Sequence, residues 1–233
     1  MIDFAGRGIV LDIEGTTSSI RFVYDILFPF ARHRADDFLR RRWEDPAVQK
    51  ARRQIEADAG ANAWEQPQIL AEAFRLMDGD VKATGLKALQ GLIWEEGYAA
   101  GLLRSHVYAD VPQALADWRA RGLDIRIYSS GSVHAQKSFF GKTEYGDLLP
   151  FLQGHYDTTT GPKREPESYA RIALDMGMAP DQLLFLSDVP AELDAAASAG
   201  WRTGLAVRPG NAAVAADCRH AKIETFDEVN VRR

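Results

Sequence analysis

Apolar and polar positions follow three different rhythms along the chain. The first is short: Gly8-Ile9-Val10-Leu11-Asp12-Ile13-Glu14-Gly15 is an aliphatic run bounded by glycines, which predicts a buried parallel strand. On a strand, positions i and i+2 share a face, so Asp12 and Glu14 are expected together at its carboxyl end. From Ile20 to about Tyr108 apolar residues recur at three- and four-residue spacing, as in Ile69, Leu70, Phe74 and Leu76 or Leu89, Leu92 and Ile93. That spacing predicts helices with no strand among them, broken at Asp45-Pro46, Gly60-Ala61-Asn62, Gln66-Pro67 and Asp78-Gly79-Asp80.

After Asp110 strands and helices alternate. A helix from about Pro112 stops at Gly122, and a strand over 123–128 runs into Ser129-Ser130-Gly131-Ser132. Further helices are expected over 133–140, 167–176 and 191–199. Strands are expected at 155–159, 183–188 and 203–207, the last being the final core strand. This order argues for an α/β fold, a parallel sheet with helices on both faces. The expected organisation is an α/β core of residues 1–20 and 110–233, with an all-helical subdomain, 21–109, inserted after the first strand.

Composition narrows the function. Apolar and charged fractions of 46% and 26% are those of an ordinary globular protein. A formal charge of -5 argues against nucleic acid or an anionic membrane as a partner. The single cysteine, Cys218, excludes an internal disulfide and fits a reducing compartment. With no secretion signal and no long apolar run, a cytoplasmic location is expected. No heptad or long apolar surface asks for an oligomer, so a monomer is expected.

Three predicted strand ends carry polar residues that packing does not need: Asp12 and Glu14, then Ser129-Ser130-Gly131, then Asp188. Lys163 lies on the loop between the last two. In a parallel sheet such ends converge on one crevice. Carboxylates there suit Mg²⁺, hydroxyls and N–H groups suit phosphate oxygens, and an ammonium suits a transferring phosphoryl group. Singly, each has a plainer explanation. Serines after strands form turns, loop lysines are commonly solvated, and Asp188 could serve a helix start. Glu192 could be a first-turn acid or a partner of a metal ligand. Arg208-Pro209-Gly210 could contact an anion or merely turn. The five histidines lack metal spacing. It is the order of the four pieces that points to phosphoryl transfer.

That order resembles the haloacid dehalogenase superfamily. More specifically, Asp12-Ile13-Glu14-Gly15-Thr16-Thr17, Asp25-Ile26-Leu27-Phe28-Pro29, Tyr128-Ser129-Ser130-Gly131-Ser132, Glu167-Ser168-Tyr169 and Leu186-Ser187-Asp188-Val189 resemble the enolase-phosphatase family of methionine salvage. The resemblance implies Mg²⁺ and a phosphorylated diketone, 2,3-diketo-5-methylthiopentyl-1-phosphate, enolised and then hydrolysed to an acireductone. It also implies roles: Asp12 as nucleophile, Glu14 as general acid and base, and Asp12, Asp188 and the Glu14 carbonyl as metal ligands. Ser129, Ser130, Gly131 and Lys163 would hold the phosphoryl group. The inserted helices would act as a cap, with Phe28, Trp94 and Tyr98 as candidates for the methylthio tail. A phosphatase for another small phosphomonoester is the alternative; a phosphoacceptor signalling module uses the same ingredients but needs no helical insert.

Overall fold

The computed structural model describes residues 1–81, 83–215 and 217–232. The chain divides into two compact units, Met1–Ile20 with Arg104–Arg233, and Arg21–Leu103. The first unit opens with β1 (Ile2–Phe4) and β2 (Gly8–Leu11). Every residue of β2 is buried, as its unbroken aliphatic run requires of a strand covered on both faces.

The chain then enters α1 (Ile20–Phe22), a π-helical turn at Val23–Leu27, and α2 (Phe28–Arg42). Next come α3 (Pro46–Asp58), α4 (Gln66–Asp78) and α5 (Thr84–Ala99). The breaks read from the sequence are capping sites. Asp45 accepts from the Ala47 N–H at 2.9 Å, with Pro46 in the first turn; Glu65 and Gln68 form a reciprocal cap. The helical unit has its own core, including Phe38, Leu39, Ile55, Ile69, Leu89 and Ile93. Helices α3 and α5 approach closely because Gly85 lacks a Cβ, which would stand 2.8 Å from Ile55 Cα.

The first unit resumes at Arg104 rather than at Asp110. The intervening residues are bonded into it: Ser105 N–H to the Lys142 carbonyl, Tyr108 N–H to the Thr17 carbonyl, and Ser19 N–H to His106 Nδ1. There follow α6 (Val111–Ala120), β3 (Asp124–Tyr128), α7 (Val133–Gly141) and β4 (Gly154–Tyr156). Then come α8 (Pro166–Met176), β5 (Leu183–Ser187), α9 (Pro190–Ser198) and β6 (Arg202–Ala206). The chain closes with β7 (Ala221–Ile223) and β8 (Val229–Val231).

The main sheet is parallel, in the order β4-β3-β2-β5-β6-β7, with helices on both faces. β6 is not the last strand, since β7 pairs beyond it, and β1 and β8 form a separate parallel pair. These additions are three-residue segments, too short to show a period. Register decides where the chemistry falls: Leu11 of β2 stands opposite Ile127 of β3 and Leu186 of β5. Asp12, Ser129 and Asp188, one or two residues further on, therefore leave the sheet in one layer, at its carboxyl edge.

Candidate active site

Asp12 sits at the end of the central strand and is 6% exposed. Its backbone N–H still donates to the Leu186 carbonyl, so its position is that of the ladder. Its Oδ1 accepts from the Ile13 N–H at 2.7 Å and from Lys163 Nζ at 2.8 Å. The same ammonium donates to Glu192 Oε2 at 2.6 Å. Burial works against the Lys163 charge, but the adjoining charges of Asp12 and Glu192 outweigh it and hold its pKa above the ordinary lysine value. Far from being a solvated loop lysine, Lys163 has a side chain only 10% exposed.

The loop carrying Lys163 is fastened by its carbonyls. The Tyr128 hydroxyl donates to Gly161 O at 2.8 Å, Ser168 to Pro162 O at 2.8 Å, and Tyr169 to Lys163 O at 2.7 Å. Tyr128 and Tyr169 are fully buried, packed edge-on with centroids 5.7 Å apart. Core aromatics thus anchor the lysine's backbone while the carboxylates hold its tip.

Glu192, in the first turn of α9, accepts from Ser187 Oγ at 3.0 Å as well as from Lys163. Burial, then the charge of Asp12, raises its pKa. Asp188 is pushed up to about 7, first by burial and next by the charge of Asp12. Two carboxylates thus hold one ammonium, with Asp188 near enough to Asp12 to feel its charge. The cluster carries excess negative charge in a largely buried place, which a bound cation would relieve.

Glu14 occupies a different setting. The β2 ladder ends at Leu11, and beyond it the N–H groups of Thr16, Thr17 and Ser18 all turn back onto the Ile13 carbonyl. Strand alternation therefore stops before Glu14 and does not place it on a face shared with Asp12. Asp12 is buried and Glu14 half-buried, so the two acids lie in unlike surroundings.

Of the residues after β3, Ser129 is buried, Gly131 half-buried and Ser130 exposed. Ser129 Oγ accepts from the Gly131 N–H at 3.3 Å, and Ser132 caps α7 through the Ala135 N–H. Behind this loop lies Gln136, which is 1% exposed. Its Nε2 donates to Gly131 O and Tyr156 O, both at 2.8 Å, and its Oε1 faces His155 Nδ1 at 3.2 Å. Since the amide donors are spent on carbonyls, Nδ1 must carry the imidazole proton.

Arg208 is no anion contact. Its guanidinium lies between the rings of Tyr108 and Phe226, 4.4 and 4.7 Å from their centroids, and pairs bidentately with Asp110 at 2.9 and 2.8 Å. Its Nε donates to the Thr16 carbonyl at 3.0 Å, steadying the turn that follows Asp12. Phe28, Trp94 and Tyr98 are engaged within the helical unit: Phe28 stacks on Trp94, whose indole N–H donates to the Leu27 carbonyl, and Tyr98 is buried.

Residues 7–200 match the family of haloacid dehalogenase-like hydrolases. The enolase-phosphatase E1 of Synechococcus elongatus is 48% identical over 230 residues, covering 95% of this chain and 96% of its own. That of Pseudomonas aeruginosa strain UCBPP-PA14 is 49% identical over 206 residues, covering 88% and 92%. The chain belongs to the enolase-phosphatase family. A solved structure, the UTR4 protein of Saccharomyces cerevisiae, is 37% identical and superimposes with a TM-score of 0.81 over 96% of this chain and 99% of that one.

In this enolase-phosphatase family member the donor set decides what cation could bind. Among the described residues no cluster of three or more His, Cys, Asp or Glu side chains forms a ready cage. Asp12 and Asp188 offer hard carboxylate oxygens instead. Such a set fits a small divalent ion that keeps most of its waters and takes one or two carboxylates from the protein.

Ser187, Glu192 and Gln136 are the site residues that sequence reasoning passed over or left undecided. A serine inside the apolar run Leu183-Leu184-Phe185-Leu186-Ser187 was a usable signal; a glutamine on α7 was not.

Proposed function

We propose that this enzyme is a Mg²⁺-dependent enolase-phosphatase that converts 2,3-diketo-5-methylthiopentyl-1-phosphate, through its enediol phosphate, to the acireductone and phosphate. The reading rests on the Lys163 ammonium bridging Asp12 and Glu192 beside Asp188, together with the family membership. Asp12 and Asp188 side chains and the Glu14 carbonyl would hold Mg²⁺, which supplies positive charge against the carboxylates and the phosphate oxygens.

In the phosphatase half, an Asp12 carboxylate oxygen forms a bond to phosphorus as the bond from phosphorus to the enediol oxygen breaks. Glu14 gives its proton to that leaving oxygen. It then takes a proton from water, whose oxygen attacks phosphorus, so that phosphate leaves and Asp12 is restored. Lys163, held by two carboxylates, supplies a fixed charge with no reorganisation as negative charge moves onto the phosphoryl oxygens. Ser129, Ser130 and the N–H groups near Gly131 hold the remaining oxygens. On the same reading the helical unit is a cap subdomain and the enzyme a cytoplasmic monomer.

Enolisation removes a proton from carbon 1, and Glu14 is assigned that step too, its half-buried turn position being distinct from the Asp12 cluster. Asp12→Asn tests the core claim. Phosphate release from the diketone phosphate should fall at least ~10³-fold with the protein still folded, since the nucleophile is lost; undiminished release rejects the mechanism. Glu14→Asp tests the dual role, which fails if enolisation stays at the wild-type rate while hydrolysis falls.

A further inference from the structure

Residues Arg208-Pro209-Gly210-Asn211 form a tight turn. The Asn211 N–H donates to the Arg208 carbonyl at 3.1 Å, and Gly210 has φ +90°, with proline and glycine where a type II turn wants them. The turn brings the Asn211 side chain back to the loop after Asp12. Its Nδ2 donates to the Gly15 carbonyl at 2.8 Å and to the Ala206 carbonyl at 3.2 Å. Only an amide nitrogen can face two carbonyls, so the orientation of the carboxamide is settled by chemistry.

The oxygen is therefore the atom on the other side, and it is anomalous. Asn211 Oδ1 is buried and has no hydrogen-bond donor among the described residues, a costly state for a carboxamide oxygen. Its surroundings are specific. A Cβ built on Gly15 would collide with the Asp188 carboxylate and lie 2.9 Å from Asn211 Oδ1. Two oxygen acceptors thus border one small space that exists because residue 15 has no side chain. With the Asp188 carboxyl ionised, neither can donate to the other.

We infer that Asn211 is a further residue of the cation site: its carboxamide oxygen serves the hydration shell of the divalent ion held at Asp188. An ion that keeps several waters brings O–H donors to the place where a buried acceptor lacks one. Asn211 is a positioning residue by this account, acting through the ion's waters and not on substrate. The inference rests on Asp188 being a metal ligand, as proposed above.

The test is calorimetric titration of Mg²⁺ into the whole protein without substrate, beside thermal unfolding without metal. Asn211→Ala removes both the oxygen and the two donors, and should raise the Mg²⁺ Kd about tenfold or more, the range for outer-shell partners. Asn211→Asp keeps an oxygen toward the space while losing the donors to Gly15 and Ala206. It should bind Mg²⁺ at least as tightly as the unchanged protein, although its metal-free unfolding temperature falls. A Kd for Asn211→Ala within twofold of the original, or equal weakening in both variants, overturns the inference. Asp188→Asn separates the two levels: if it leaves Mg²⁺ affinity intact, the assignment of Asp188 as a ligand is what fails.

Discussion

Gly15→Ala is the smallest substitution with a large expected consequence. Gly15 has φ +71°, a left-handed conformation that costs an L-residue about 1–2 kcal/mol. The steric consequence is greater. The new methyl carbon would lie 2.5 Å from Asp188 Cγ, whereas carbon atoms rest at about 3.5 Å or more. Either the Asp188 carboxylate or the Gly15 turn must retreat by about 1 Å. A displacement of that size at a reacting centre costs on the order of 10²-fold. Phosphate release should fall on the order of 10²-fold, while urea denaturation shows the conformational cost of about 1–2 kcal/mol together with an overpacking cost of about 1–3 kcal/mol. Steady-state assay over a Mg²⁺ series checks the first and equilibrium unfolding the second. If the folded variant keeps a third or more of the original activity at saturating Mg²⁺, the carboxylate does not need the position described for it.

Lys163→Met leaves Asp12 and Glu192 buried without their shared cation, which should cost about 3–5 kcal/mol near pH 7. The Glu192 pKa, already raised by burial and by the charge of Asp12, rises further without the ammonium, so the deficit shrinks as pH falls toward the carboxylate range; equal deficits at pH 5 and pH 8 would refute the argument. His155 gives the opposite slope. Burial, helped by the charge of Lys137, lowers its pKa to about 4, so the folded state prefers the neutral ring. Stability present above about pH 6.5 is lost as pH falls toward about 4, by at most about 3 kcal/mol and less where residual solvent screens the ring. His155→Gln should flatten the unfolding profile across that window, and an unchanged slope would assign it to other groups.

The parts of the fold legible in the sequence were those with enough length to show a period. The aliphatic runs of β2 and β5 and the three-and-four spacing from α2 to α5 exceed any local ambiguity. The short β1, β7 and β8 carry no such signal and exist through pairing alone. At the site, strand-end acids and the loop lysine were visible because their residue types conflict with their apolar neighbours. The relation of Glu14 to Asp12 was not, because strand alternation fails where the Ile13 carbonyl collects three N–H groups. Gln136 and Asn211 were invisible for another reason. Their roles come from carbonyls that the topology brings to them from distant segments, and nothing in their own neighbourhood records it.

The central strand β2 is bordered by strands encoded far downstream, and Ser187, whose hydroxyl oxygen stands 3.4 Å from Asp12 Oδ2, lies 175 residues from it. An emerging chain consequently holds Asp12 long before it holds Lys163 and Asp188. If Asp12 and Asp188 hold the cation as proposed, nascent chains that stop short of β5 should take up none, and loading belongs to the closing stage of folding, after the slow long-range pairings are made.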